Sequence, residues 1–202
     1  MFKNLFKKKE IINHKEQLTE WEKNGKPLPP PHIVKQMAIE QYRRKFNTEI
    51  LVETGTYLGD MVEAQRDHFK KIYSIELSEK LFNKAKRRFK GQLHIKILHG
   101  DSGTVLNKLM IEIDKPCLFW LDGHYSEGMT AKGEKECPVP EELKAIFKNP
   151  LPQIILIDDA RLFNGTHDYP TIEQIGEIIR SNNRRYLVEI KDDIIRLTPS
   201  HI

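Results

Sequence analysis

Ile50-Leu-Val-Glu-Thr-Gly-Thr-Tyr-Leu-Gly-Asp60 is the stretch that decides the fold. Three apolar residues run into an acid, and two glycines then bracket a short polar turn. An apolar run of this length, ended by glycine-rich punctuation, reads as a buried strand that turns tightly into a helix. Gly55 and Gly59 let the backbone come close to a neighbouring strand or a ligand. The stretch is not the dinucleotide fingerprint Gly-x-Gly-x-x-Gly, because position 57 is Tyr and position 60 is Asp. No Walker sequence follows it either.

The same rhythm continues downstream. The run Ile50–Val52 precedes a helix expected around 60–70. Ile72–Ile75 precedes a helix from Ser78, with Leu81, Phe82, Ala85 and Phe89 on one face. His94–Leu98, Cys117–Leu121 and Ile154–Ile157 precede helices around 103–112, 140–148 and 170–182. Short buried strands alternating with helices form right-handed βαβ units, hence a parallel sheet covered on both faces. Tyr186–Ile190 and Ile194–Leu197 break the rhythm. Only Lys191-Asp-Asp193 separates them, so they must pair as an antiparallel hairpin.

Upstream, residues 1–26 read as a charged helical segment with sparse apolar positions. It is either a solvated helix packing on the domain or a weak membrane-surface or partner contact through Phe2, Leu5, Phe6 and the lysines. Gly25-Lys-Pro-Leu-Pro-Pro-Pro31 is a semi-rigid connector. Ile33, Met37, Ala38, Tyr42 and Phe46 then predict an amphipathic helix over 32–46. The division expected is an N-terminal extension, 1–48, and a domain, 49–202.

Composition bounds the rest. A chain of 202 residues that is 39% hydrophobic and 31% charged has material for one packed domain. No apolar run approaches the roughly 20 residues of a membrane span, and the start lacks the apolar core of a secretory signal. Two cysteines, Cys117 and Cys137, exclude a disulfide scaffold and suggest reduced thiols in the cytoplasm. The net charge is +4, and residues 1–26 hold seven lysines against four glutamates. The remainder is nearly balanced, so no nucleic-acid partner is expected.

In an open parallel α/β sheet, ligands bind beyond the carboxyl ends of the strands. Those ends read Glu53-Thr-Gly-Thr56, Glu76, Gly100-Asp-Ser102, Asp122-Gly-His124 and Asp158-Asp159. Glu76, 23 residues beyond Glu53, stands where a carboxylate accepts both hydroxyls of a ribose. Asp101 with Ser102 is placed to meet a base. A pocket for ribose and base without a phosphate cradle suits an adenosine ligand that carries no phosphates. Each acid also has a plainer reading as a helix N-cap, most readily Asp60 and Asp101.

On these residues the stretch 49–197 resembles the class I S-adenosylmethionine (SAM) dependent methyltransferases. Val52-Glu-Thr-Gly-Thr-Tyr-Leu-Gly59 is similar to their first motif, acidic-x-Gly-x-Gly-x-Gly, with Tyr57 in place of the middle glycine. The resemblance implies a Rossmann-like α/β fold with a seven-stranded, mainly parallel sheet, helices on both faces and a C-terminal antiparallel β-hairpin. It implies SAM as cofactor, with Glu53, Gly55, Thr56 and Gly59 shaping its methionine side. Glu76 would take the ribose, and Asp101 and Ser102 the adenine side.

Asp122, Asp158 and Asp159 end adjacent strands in such a sheet. Hard oxygen ligands suit Mg²⁺ or Mn²⁺. The pattern is similar to metal-dependent sugar O-methyltransferases of the macrocin and novobiocin tailoring type, although Asp-Gly-His stands where that group reads Asp-Gly-Asp. The resemblance implies a metal-oriented acceptor hydroxyl on a sugar, glycan precursor or small metabolite. Asp122 is then a catalytic residue, with His124 as general base. Residues 126–139 read as a polar loop, either a lid or a surface excursion. Arg161 either meets the acceptor or pairs with a neighbouring carboxylate. The competing functions are a SAM-fold binding protein without catalysis and a nicotinamide or flavin oxidoreductase. A homo-oligomer is compatible with the sequence and is not specified by it.

Overall fold

The computed structural model describes residues 2–123 and 136–200, with side chains from residue 13 onward. Among them a seven-stranded sheet runs through the middle of the chain. Its strands are β1 (Ile50–Thr54), β2 (Lys71–Glu76), β3 (Ile95–His99), β4 (Leu118–Leu121), β5 (Ile154–Ile157), β6 (Tyr186–Lys191) and β7 (Ile194–Pro199). The order is β3-β2-β1-β4-β5-β7-β6. The first five strands are parallel, and β7 runs antiparallel between β5 and β6. The expected sheet and terminal hairpin are therefore present. Asp192 and Asp193 make the two-residue turn with φ of 54° and 62°. Positive φ at both positions matches the twist of the flanking strands.

The helices are α1 (Phe2–Lys23), α2 (His32–Phe46), α3 (Asp60–Gln65), α4 (Glu79–Arg88), α5 (Ser102–Glu112), α6 (Val139–Phe147) and α7 (Ile172–Ser181). The period-two alternation of the strands sorts the core into two layers. Val52, Ile75, Phe119, Leu121, Ile155 and Ile157 face Leu106 of α5, Leu143 and Ile146 of α6 and Ile175 of α7. Leu51, Ile72, Leu118, Trp120, Ile154 and Leu156 face the other way, with Ala38, Ile39 and Tyr42 of α2 and Met61 and Val62 of α3. Fully burying such a side chain contributes about 1.5–3 kcal/mol. α2 therefore covers one face of the sheet.

Three details differ from the sequence reading. The helix expected to reach residue 70 stops at Gln65, because the chain must turn within a few residues to start β2 at Lys71. Phe69 is buried and anchors that turn. Phe82 leaves the core and stacks on His99, with ring centroids 5.0 Å apart. Of the predicted α2 stripe, Ala38 and Tyr42 are buried and Phe46 packs against the core, but Val34 and Ile39 join them in place of Ile33 and Met37, and Met37 is 50% exposed. The apolar face is rotated along the helix, which brings Lys35 to the sheet side.

Candidate active site

Helices after β1 lie on one face and helices after β4 on the other, so β1 and β4 flank the point where the winding reverses. A crevice opens at such a point. The carboxyl ends there present a row of acids in the order Asp101, Glu76, Glu53, Asp122, Asp158. Backbone bonds hold neighbouring ends in step: Gly100 N–H donates to the Glu76 carbonyl (3.0 Å), Asp122 N–H to Thr54 (3.1 Å) and Asp158 N–H to Leu121 (3.0 Å).

The turn after β1 is tight for a steric reason. Gly55 has φ +83°, and a Cβ there would stand 2.2 Å from the Asp122 carbonyl oxygen. Gly59 has φ +81° and packs under Phe89, with the built Cβ 2.8 Å from the ring. Tyr57, in the motif's middle-glycine position, also takes the left-handed conformation, with φ +49°. The backbone thus keeps the glycine geometry without the glycine. Tyr57 N–H donates to Glu76 Oε2 (2.7 Å), and Ser78 N–H donates to Oε1 (2.8 Å). Glu76 is prearranged by two backbone donors.

Glu53 is buried and accepts a bond from Ser74 Oγ, which lies 2.5 Å from Thr56 Oγ1. Burial pushes its carboxyl up to about 8 against the Ser74 bond, and the nearby Asp122, Glu76 and Asp60 push the same way. It is therefore protonated at neutral pH. Asp101 caps α5, accepting from Thr104 N–H at 2.9 Å, and Ser102 opens that helix. The plainer reading of Asp101 is thus observed. Asp60 takes a bond from Arg88 at 2.6 Å.

A cavity of about 1240 Å³ is lined by Glu53, Gly55, Thr56, Tyr57, Asp60 and Asp122. His32 and Gln36 of α2 and His14 of α1 form part of its wall. Glu76, Asp101, Ser102 and the Asp158-Asp159 pair do not line it. Glu76, Asp101 and Ser102 lie along the β2–β3 ends, on one side of Glu53, and the aspartate pair lies on the other. Leu77, next to Glu76, is 36% exposed and offers apolar surface beside that row.

Asp122, Asp158 and Asp159 each offer an oxygen within 4.8 Å of the others. As a donor set this suits a hard divalent ion. The position is taken by a group the sequence reading missed. Lys35 Nζ bonds Asp158 Oδ2 and lies 3.7 Å from Asp159 Oδ1. Burial disfavours the Lys35 charge, but Asp158, Asp122 and Asp159 outweigh it and the net shift is upward. Burial pushes Asp158 up while Lys35 opposes the rise. Arg161 pairs with Asp159 (2.8 Å) and with the buried Asp193 of the hairpin turn, the second of its two expected roles. An ammonium that bonds Asp158 and lies 3.7 Å from Asp159 competes with a metal ion for this donor set.

His124 and most of the segment 126–139 fall outside the described residues. So do the Phe2, Leu5 and Phe6 side chains. Cys117 and Cys137 are free and buried, and burial pushes both thiols up to about 12. No helix among the described residues is long and apolar enough to cross a membrane.

No protein-family model and no curated protein matches the sequence. Solved structures do match the fold. An S-adenosylhomocysteine-bound (SAH-bound) O-methyltransferase from Bacillus cereus aligns over 92% of this chain and 90% of its own. The TM-score is 0.60 and the identity 14%. The O-methyltransferase TomG from Streptomyces achromogenes, involved in tomaymycin synthesis and bound to SAM, covers 92% and 88%, with a TM-score of 0.60 and 13% identity. An SAH-bound methyltransferase from Podospora anserina covers 91% and 87%, at 0.56 and 16%. The chain has the class I SAM-dependent methyltransferase fold.

Proposed function

We propose that this protein is a SAM-dependent methyltransferase that acts on a hydroxyl of a small molecule or saccharide. The observation that carries the reading is the row of strand-end acids at the sheet's reversal point, with the buried Glu53 in the wall of the cavity there. A buried carboxyl in a cleft, whose burial disfavours its charge, is a candidate functional group. The structural neighbours bound to SAM or SAH support the choice of ligand.

SAM supplies an electrophilic methyl group on a sulfonium, so the protein's work is positioning and deprotonation. Glu53 receives the ligand's ammonium and ionises as it does so. Glu76, its oxygens already aimed by two backbone donors, accepts the ribose hydroxyls. Leu77, Asp101 and Ser102 flank the adenine. Asp122, at the cavity wall between this row and Lys35, holds the acceptor hydroxyl and takes its proton.

The test is calorimetric titration with SAH, followed by turnover on a panel of hydroxyl acceptors. Wild type should bind, and Glu76→Gln should weaken binding at least about tenfold, because the amide presents donors where the carboxylate accepted. Asp122→Asn should keep SAH binding and lose turnover by about 10²-fold or more. A folded wild type that binds no SAH overturns the reading. A wild type that binds SAH but methylates nothing in the panel favours the non-catalytic alternative.

A further inference from the structure

Two of the three aspartates that resemble a metal site, Asp158 and Asp159, already face a cation. We propose that Lys35 is the resident cation of the Asp122, Asp158 and Asp159 cluster, and that it excludes divalent metal from a donor set otherwise suited to it.

The argument rests on how Lys35 is held. Val34, Ala38 and Ile39, its neighbours along α2, are buried in the layer that contains Trp120 and Leu156. The helix cannot roll without exposing them, so the core fixes where the Lys35 side chain leaves α2. Nζ bonds Asp158 Oδ2, and Asp159 N–H donates to Oδ1 at 2.9 Å. Both oxygens of this fully buried carboxylate are therefore engaged. Arg161 takes Asp159 Oδ1 at 2.8 Å. A hard cation asks for six or more oxygens, and here it would meet a fixed positive charge a few ångströms away. An ammonium and a divalent ion answer the same requirement, that of neutralising converging carboxylates. This chain answers it with a side chain that never dissociates.

One consequence rests on the methyl-transfer reading: an acceptor oxygen in this crevice would meet an N–H donor, and transfer would survive chelators. The proposal itself is tested without turnover. Mn²⁺ is titrated into chelator-stripped full-length protein by calorimetry, with folding of every variant checked by circular dichroism. Wild type and Lys35→Arg should show no binding below about 1 mM, an affinity of only about 4 kcal/mol. Lys35→Met should bind one Mn²⁺ at least about tenfold more tightly, since a like charge has left the donor set. Adding Asp158→Asn to Lys35→Met should abolish that binding. If Lys35→Met does not fold, Lys35→Gln carries the same expectation. Wild-type Mn²⁺ binding that Asp158→Asn removes would overturn the proposal. A folded neutral variant that binds no better than wild type would overturn it too. Failure of the methyltransferase reading would appear in the SAH titration and would leave these outcomes unchanged.

Discussion

The two flanks of the crevice satisfy their acids by different means. On the β2–β3 flank, Glu76 and Asp101 accept backbone N–H groups from Tyr57, Ser78 and Thr104, all within the turns that follow the strands. On the β4–β5 flank, Asp158 and Asp193 also accept backbone N–H groups, from Asp159 and Arg161, but Asp158, Asp159 and Asp193 are in addition answered by the side-chain cations Lys35 and Arg161. A backbone donor sets direction and carries no net charge, so the first flank stays anionic and ready for neutral hydroxyls. A tethered cation offsets part of the charge, so the second flank is held by ion pairs as well as by backbone dipoles. Glu53 lies between them and uses a third device. It is protonated because burial leaves its charge unsupported.

The largest expected effect breaks this middle position. The Glu53 carboxyl is about 8 in the folded state and near its ordinary 4.5 when unfolded. Between those values the folded protein holds a proton that the unfolded chain has released. Stability must therefore fall as pH rises through that window and level off above about 8. Glu53→Gln has no proton to lose. It should gain on wild type as pH rises, by at most about 5 kcal/mol above the window. Urea unfolding between pH 5 and pH 9 measures the difference. Parallel curves for the two proteins would mean that Glu53 is solvated. The same pair gives a ligand readout. SAH binding to wild type at neutral pH should release close to one proton, seen as a buffer-dependent heat, and binding to Glu53→Gln should release none.

The next effect tests the cationic flank. Lys35→Met leaves the buried Asp158 without its counter-charge and should cost about 3 kcal/mol, at the lower end for breaking a buried pair because Lys35 keeps some exposure. The double variant Lys35→Met/Asp158→Asn should recover most of that loss, since no uncompensated charge remains. Chemical denaturation of the four proteins of this cycle gives the coupling. Additive losses would show that Lys35 stabilises through packing alone, and the contrast between the flanks would then disappear.

This contrast also explains what the sequence reveals. The strand ends were legible because each apolar run stops at a polar residue, so the acids could be placed from local pattern alone. The terminal hairpin was legible for a similar reason, since a connection that short permits only antiparallel pairing. The start of α4 at Ser78 was legible too, and the Ser78 side chain caps the helix by accepting from Leu81 N–H. Lys35 was not legible. Its partner is 123 positions away, and α2 carries two overlapping apolar stripes. The stripe through Ile33 and Met37 was the more regular, whereas the sheet selected the one through Val34 and Ile39. Only the shape of the sheet face decides between them, and that choice turns Lys35 inward. The protonated state of Glu53 was hidden as well, because it depends on burial from both neighbouring strands and not on adjacent residues.

The smallest effect sharpens the backbone flank. Tyr57 sits at φ +49°, a conformation that costs a side-chain-bearing residue about 1–2 kcal/mol, and the residue is 43% exposed. What it gives Glu76 is its N–H, which glycine also has. Tyr57→Gly removes the strain but adds unfolded-state freedom worth about 0.5–1 kcal/mol. The variant should therefore be more stable than wild type by under about 1 kcal/mol. Its SAH affinity should stay within about threefold, since the Glu76 oxygens keep both backbone donors. Denaturation midpoints and calorimetry read the two quantities. A loss of stability beyond about 1 kcal/mol, or a larger loss of affinity, would mean that the ring itself contributes to this flank. The flank would then depend on a side chain, as the β4–β5 side does, and not on the backbone turn that the glycine motif ordinarily supplies.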